Sequence, residues 1–110
     1  MLALSDAPEI VFVMGLPAAG KSTWISRYLP EHGWIDADRI KTLHPEYNPH
    51  QPHLVHAWSK AIAMHMFDTA LARCRGNWVL EGTGANADEL VNCIRQARAA
   101  GYRGPCARIP

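Results

Sequence analysis

The amino-acid sequence predicts an α/β fold in which helices flank a parallel β-sheet. Short apolar runs alternate with longer segments of helical periodicity, in the order β-loop-α-β-α-α-β-α, which is typical of a sheet built from parallel strands. The run "IVFVM" is continuously apolar, as expected for a strand that is buried on both faces. The chain has 110 residues, which fits one small domain, and we assign residues 1–110 to it.

The composition is that of a globular protein with little net charge. Hydrophobic residues make up 48% of the chain, charged residues 19%, and the formal net charge is +1. We therefore predict neither a nucleic-acid nor a membrane partner, because this charge offers no electrostatic attraction to either. The odd number of cysteines and their lack of ligand spacing fit a reducing compartment. With no export signal and no long apolar segment, the predicted location is the cytoplasm.

The first half of the chain predicts a strand, a loop and a helix, followed by a second strand. The first strand runs from Ile10 to Met14 and stops at Gly15, where the loop "GLPAAG" begins. The segment "KSTWISRYL" predicts a helix that ends before Pro30. The segment "GWID" predicts a short strand, and "ADRIKTL" can begin a helix for which Asp36 would be the N-cap.

The second half predicts a long helix, a third strand and a final helix. Three prolines in the nine residues of "HPEYNPHQP" predict an irregular loop. From about residue 53 to residue 73, apolar residues recur at three- and four-residue spacings, which is typical of an amphipathic helix. The segment "NWVLEG" predicts the third strand. Asn86 and Glu89 have the spacing of a capping box, and Gly101 is a natural end for the last helix.

The C-terminal segment departs from this regular pattern. A fourth strand is due after the last helix, but "GPCARIP" has prolines near its start and at its end and is a poor strand sequence. We therefore predict a sheet of three strands that is incomplete at the C-terminus. Residues 104–110 are interpreted as an aberrant or truncated tail.

The tryptophans and a group of histidines have structural interpretations. The tryptophans lie on predicted helices and strands and are expected in the core: Trp24, Trp34, Trp58 and Trp78. Three histidines at three-residue steps, His50, His53 and His56, suggest a zinc site, but no cysteine pairs with them. A solvated loop and helix start is the better interpretation of these histidines.

A phosphate-binding motif lies between the first strand and the first helix. Residues 15–22, "GLPAAGKS", match the pattern G-x-x-x-x-G-K-[ST], although a glycine-rich turn with a chance lysine is an alternative. The glycines let backbone N–H groups face phosphate oxygens, and the start of the helix adds positive potential. Lys21 would hold the β- and γ-phosphates, and the Ser22 hydroxyl would ligate Mg²⁺. The predicted nucleotide-binding residues are Gly15, Pro17, Ala18, Ala19, Gly20, Lys21, Ser22 and Thr23.

Other motifs bear on what accepts the phosphate. The sequence lacks the DxxG and NKxD motifs of GTPases, and its third strand ends in "LEGTG" instead of the aspartate of motor ATPases. Glu81 and Thr83, beside two glycines, suit a substrate that is rich in hydroxyls. Asp36 and Asp38 follow the second strand, at the edge where ligands bind in open α/β sheets. These acids could act on an acceptor hydroxyl, or both could simply favour the start of a helix.

The sequence resembles the zeta toxin family over residues from about 9 to 103. The resemblance is carried, in order, by "GLPAAGKST", "IDADRIKTLHPEY", "NWVLEGTGAN" and "IRQARAAGYR". The family consists of P-loop kinases related to polynucleotide kinases and chloramphenicol phosphotransferase. The resemblance implies a P-loop NTPase fold and phosphorylation of the 3′-hydroxyl of UDP-N-acetylglucosamine, with ATP or GTP and Mg²⁺ as cofactors. It also implies an antitoxin protein as a partner.

The resemblance assigns roles to individual residues. Asp38 falls on the catalytic base of the family and Lys21 on its phosphate-loop lysine, so these two are the expected catalytic residues. Asp36 then has a structural role at the end of the strand. The expected substrate-binding residues are Asp38, Arg39, Glu81 and Thr83.

Two departures from the family leave alternatives open. His65 stands where the family has an acidic residue that faces the sugar. Family members also continue beyond the length of this chain, with further strands and a lid that carries arginines. The alternatives are another small-molecule or polynucleotide kinase of the same clan, and a nucleotide-binding fragment without catalytic activity that could bind a protein partner.

Overall fold

The structure, a computed structural model, describes residues 8–16, 19–82 and 86–109. Along the chain, its elements are β1 (Ile10–Met14), α1 (Lys21–Tyr28), β2 (Gly33–Ile35), α2 (Ala37–Lys41), a 3-10 turn (Pro52–Val55), α3 (His56–Arg73), β3 (Trp78–Gly82), α4 (Ala87–Ala99) and β4 (Cys106–Arg108). The strands form one parallel sheet in the order β2-β3-β1-β4. This arrangement confirms the predicted α/β fold with a parallel sheet.

Strand β1 lies inside the sheet, and its side chains divide the core in two. All five of its residues are buried, as the continuous apolar run predicts. Successive side chains point to opposite faces, so Val11 and Val13 pack with Ile25 of α1 on one face. On the other face, the ring of Phe12 meets that of Phe67 from α3 edge to face, with 6.4 Å between their centroids. The sheet is therefore covered by helices on both faces.

The prediction of three strands is wrong, because β4 adds a fourth. Cys106–Arg108 pairs in parallel with β1, and it occupies the edge of the sheet. Pro105 lacks an N–H, but it precedes the strand, and its carbonyl accepts a 2.9 Å hydrogen bond from the Phe12 N–H. Beyond the strand, the Ile109 N–H donates to the Met14 carbonyl at 2.8 Å. An edge position tolerates Pro105, one of the two prolines that made this segment look unlike a strand, and Pro110 lies outside the described residues.

Local signals set the ends of the helices as predicted. The Asn86 side chain accepts a 3.0 Å hydrogen bond from the Glu89 N–H and caps the start of α4. At the other end, Gly101 has a φ of 103°. The N–H of Tyr102 reaches the carbonyl of Ala97 at 3.0 Å, the long hydrogen bond of a glycine-terminated helix. Within the described ranges, no helix combines the length and apolarity needed to cross a lipid bilayer.

The parallel register places three chain segments at one edge of the sheet. Val13 pairs with Glu81, and Ile35 pairs with Leu80, so β1, β2 and β3 all finish at the same level. The Gly15 N–H, just after β1, donates to the carbonyl of Gly82 at 3.1 Å. The phosphate-binding motif, the acids after β2 and the end of β3 are therefore neighbours in the fold.

Candidate active site

A cleft of about 1100 Å³ opens at the carboxyl edge of the sheet. Its walls come from the start of α1, the ends of β2 and β3, α2 and α3. Pockets for small molecules usually measure about 300–1,000 Å³, so this cleft is large for a single small ligand. It brings together most of the described residues that the sequence nominates: Gly20, Lys21, Ser22, Thr23, Asp38, Arg39 and Glu81.

The start of α1 forms one end of the cleft and is suited to an anion. Gly20, the N-cap residue, has a φ of 88° and carries no side chain that could cap the helix. Among the described residues, no acid lies in the first turn of α1, so its N–H groups and positive dipole end are not neutralised there. The exposed side chains of Ser22 and Thr23 line the same wall. Pro17 and Ala18 lie outside the described residues.

The ammonium group of Lys21 lies at the floor of the cleft. The residue is 8% exposed. Its Nζ donates to the carbonyl of Gly15 at 2.6 Å and to that of Gly82 at 3.2 Å. Both acceptors are neutral carbonyls, so phosphate oxygens, which carry charge, could form stronger hydrogen bonds with this ammonium than the carbonyls do. The Ser22 hydroxyl, next along the helix, is an oxygen ligand of the kind that Mg²⁺ prefers.

Asp36 and Asp38 have different environments. Asp36 is 8% exposed, and its Oδ1 accepts a 2.9 Å hydrogen bond from the Asp38 N–H, so it caps α2 as expected. The Asp38 side chain is 68% exposed, and its Oδ1 lies 3.2 Å from Nζ of Lys41. The structural acid is therefore held inside the protein, while the candidate base faces the cleft.

Two substitutions at Asp36 separate its capping role from its charge. Asp36→Ala removes the acceptor for the Asp38 N–H, and we expect it to lower the free energy of unfolding by about 1 kcal/mol. Asp36→Asn keeps an acceptor oxygen and should retain most of that stability. Urea denaturation of both variants provides the measurement. Equal destabilisation by alanine and asparagine would contradict the capping role.

The buried carboxyl group of Glu81 lies near the positive charge of Lys21 and the negative charge of Asp36. Its side chain is 6% exposed, with Oε1 3.9 Å from Nζ of Lys21 and Oε2 accepting a 2.8 Å hydrogen bond from the Trp34 indole. Burial raises the pKa of Glu81, and the negative charge of Asp36 raises it further. The Trp34 hydrogen bond and the Lys21 charge oppose this shift without cancelling it. Glu81 therefore holds a proton more readily than an ordinary glutamate.

The raised pKa of Glu81 predicts a pH-dependent stability difference. The folded state binds the Glu81 proton more tightly than the unfolded state, so the wild type loses stability as pH rises from the ordinary glutamate pKa to the raised folded value. Glu81→Gln cannot ionise, and its amide oxygen can still accept from Trp34. We expect the stability of this variant relative to wild type to increase with pH across that window, and then to level off.

Chemical denaturation at a series of pH values measures this difference. Glu31→Gln, at an exposed glutamate, controls for the change in net charge. A stability difference between Glu81→Gln and wild type that is constant or decreases with rising pH would contradict the burial account of Glu81.

The structure adds aromatic walls that the sequence interpretation missed. Trp58 was expected in the core but is 38% exposed, lines the cleft, and has its ring 4.7 Å from that of His44. Trp34 packs partly against the core, yet it also lines the cleft, with the guanidinium carbon of Arg39 3.9 Å from its ring centre. The sequence indicates one part of this arrangement. Trp34 and Ile35 are adjacent on β2, so their side chains lie on opposite faces of the sheet.

Some residues noted in the sequence are not in the described lining of the cleft, and Gly15 and Ala19 are two of them. Thr83 lies outside the described residues, so its predicted substrate contact stays a prediction. His65 is exposed on α3 and lies outside the described lining of the cleft. The residues of α3 that do line the cleft, Trp58, Ile62 and Met66, are spaced by four and form another stripe of the helix.

Comparison with known proteins agrees with this architecture. The sequence profile of the zeta toxin family matches residues 3–107. A crystal structure described as a "putative kinase" from Chloroflexus aurantiacus J-10-fl is similar to this chain, with a TM-score of 0.71 at 17% sequence identity. The similarity covers 94% of this chain and 60% of that one, so the chain spans less than two thirds of the length of that protein. On the match over residues 3–107, the chain belongs to the zeta toxin family.

Proposed function

We propose that the protein is a kinase that transfers the γ-phosphoryl group of ATP or GTP to a hydroxyl of a sugar nucleotide. UDP-N-acetylglucosamine, phosphorylated at its 3′-hydroxyl, is the proposed acceptor. One observation carries the proposal: a cleft with Lys21 and the start of α1 at one end also contains the exposed carboxylate of Asp38. Membership of the zeta toxin family and the fold shared with a protein described as a "putative kinase" support it.

The donor phosphates would lie at the start of α1. Its N–H groups and the ammonium of Lys21 present positive charge on the same side of the cleft. Phosphate oxygens would compete with the carbonyls of Gly15 and Gly82 for that ammonium, and their charge makes them the stronger acceptors. The Ser22 hydroxyl would hold Mg²⁺, which, when bound, offsets negative charge on the phosphates.

The acceptor hydroxyl would lie beside Asp38. In the transfer, the acceptor oxygen forms a bond to the γ-phosphorus while the bond from that phosphorus to the β–γ bridging oxygen breaks. The hydroxyl proton passes to the Asp38 carboxylate, and the nucleoside diphosphate leaves. Arg39 and Glu81 line the same cleft and would contact the acceptor. The cleft volume of about 1100 Å³ exceeds the usual range for a pocket that holds one small ligand.

The proposed activity also has consequences for the location and the partners of the protein. Both proposed substrates are cytoplasmic metabolites in a cell that makes them, so the proposed location is the cytoplasm. An antitoxin protein is the proposed macromolecular partner, because membership of the zeta toxin family implies one. Neither a membrane nor a nucleic acid is part of the proposal.

A nucleotide-binding protein without efficient transfer is a second candidate. Among the side chains that the structure describes, Arg39 is the one arginine that lines the cleft. Arginines that stabilise the transferring phosphoryl group can contribute about 10³–10⁵ in rate. A cleft with few arginines favours binding over rapid transfer.

An acceptor panel separates these candidates. The protein would be incubated with γ-labelled ATP, Mg²⁺ and either UDP-N-acetylglucosamine, a 5′-hydroxyl oligonucleotide or chloramphenicol. We expect label to appear in the sugar nucleotide. Label in one of the other acceptors alone would overturn the proposed substrate, and nucleotide binding without any transfer would support the second candidate.

A further inference from the structure

Trp34 connects two oppositely charged side chains of the cleft. Its indole N–H donates to Oε2 of Glu81 at 2.8 Å. The face of the same ring lies against Arg39, whose guanidinium carbon is 3.9 Å from the ring centre. One side chain in the middle of β2 therefore contacts both an acid and a cation of the site.

The register of the sheet explains how Trp34 reaches Glu81. Trp34 pairs with Val79 across the parallel strands β2 and β3. Side chains along a strand alternate between faces, so Glu81, two residues after Val79, lies on the same face of the sheet as Val79. Trp34, which pairs with Val79, lies on that face too. The indole of Trp34 is long enough to reach diagonally from β2 to the carboxyl group of Glu81 on β3. The contact therefore joins two residues that lie on paired strands.

The hydrogen bond fixes the orientation of the Glu81 carboxyl group. Oε2 is directed at the Trp34 indole, so Oε1 is left on the side of Lys21, 3.9 Å from its Nζ. Without the indole, the carboxyl could rotate about its last side-chain bond and lose this alignment with Lys21. The N–H donor also favours the ionised form of Glu81, against burial and the Asp36 charge.

The ring face has a second effect, on Arg39. Arg39 is exposed on α2 and forms no ion pair with a carboxylate among the described residues. A guanidinium stacked on an indole keeps its charge and its N–H donors while its position is restricted. Trp34 thus holds Arg39 at the cleft, where its donors are available to an anionic ligand.

We propose that Trp34 is a positioning residue, which orients Glu81 through its N–H and holds Arg39 at the cleft through its ring. The inference rests on the proposed phosphoryl transfer for its effect on rate. The contacts themselves do not depend on that function, so they can be tested separately.

Two substitutions separate the two contacts. Trp34→Phe keeps an aromatic face for Arg39 but removes the N–H that Glu81 accepts, whereas Trp34→Leu removes both. We expect Trp34→Phe to lower kcat about tenfold, in line with the loss of one hydrogen bond to a charged group, with little change in the acceptor KM. Trp34→Leu should also raise the acceptor KM. The matched control is Trp78→Phe on β3, which removes an indole hydrogen bond to the carbonyl of Arg75, outside the described lining of the cleft.

The deciding experiment is an NMR titration of Glu81 in protein labelled with ¹³C at the glutamate carboxyl carbons. The resonance is assigned by its loss in Glu81→Gln. Trp34→Phe should shift the Glu81 titration midpoint to higher pH, and Trp78→Phe should leave it where it is in the wild type. A midpoint that Trp34→Phe does not move would overturn the proposal. A wild type that transfers no phosphoryl group overturns the proposed function instead, and the titration still decides the role of Trp34.

Discussion

Lys21→Met is expected to reduce phosphoryl transfer by about 10²–10³-fold, the usual effect of removing one group that stabilises charge in a transition state. Methionine has a similar length and no charge, so it fills the floor of the cleft without offering a cation to phosphate. Nucleotide affinity should fall with the rate, because the same ammonium contacts the bound phosphates in the proposed complex. Calorimetric titration with ATP and Mg²⁺ measures the affinity.

Lys60→Met is the matched control for this substitution. Lys60 is exposed on α3, pairs with Glu89 at 3.4 Å, and is not among the described residues that line the cleft with the start of α1. It should bind nucleotide as the wild type does. Thermal unfolding of both variants checks that the loss of the Lys21 hydrogen bonds has not unfolded the protein. A folded Lys21→Met protein with wild-type affinity for ATP would contradict the assignment of the phosphate site.

Asp38→Asn is expected to lower kcat by about 10²–10⁴-fold, the range for loss of a general base. The KM for ATP should change little, because the residue lies on the acceptor side in the proposed complex. Stability should also change little, since the Asp38 side chain is 68% exposed and exposed ion pairs such as that with Lys41 contribute weakly. Initial rates with UDP-N-acetylglucosamine as acceptor provide the measurement.

Asp68→Asn serves as the control for Asp38→Asn. Asp68 is an exposed carboxylate on α3 outside the described lining of the cleft, so its neutralisation changes the net charge equally. We expect wild-type rates from it. If the two variants transferred phosphate equally well, Asp38 would not be the base.

Local features of this fold could be predicted from the sequence. The buried run of β1, the cap at Asp36 and the helix end at Gly101 each depend on residues close together in the chain. The phosphate-binding motif is likewise continuous in the chain. Its place between β1 and α1 therefore followed from its own residues and from the apolar and helical segments on either side. The difference between Asp36 and Asp38 also follows from local geometry, because only the first can cap the helix.

Features that depend on distant parts of the chain were not predicted. Strand β4 forms because β1 supplies partners more than 90 residues earlier in the chain, and no local pattern in "GPCARIP" shows that. The contact between Trp34 and Glu81 joins residues that are 47 positions apart. Trp58 looked like a core residue because helix periodicity does not reveal which neighbour, if any, covers a given face.

The proposed cleft therefore combines local and long-range contributions. The motif supplies Lys21, and β2 supplies Asp38 through the short helix that follows it. Parallel pairing then brings Glu81 to within 3.9 Å of Lys21. This convergence of donor-side and acceptor-side residues is the physical basis of the kinase proposal.

The most direct test of this account is a side-by-side measurement of phosphoryl transfer from γ-labelled ATP to UDP-N-acetylglucosamine by the wild type, Lys21→Met and Asp38→Asn. The product would be identified by mass spectrometry and the position of its phosphate by ³¹P NMR. We predict a 3′-phosphorylated sugar nucleotide from the wild type and at least a 10²-fold loss in both variants. Transfer that persists at the wild-type rate in Asp38→Asn, or a wild type that binds ATP but phosphorylates no hydroxyl, would contradict it.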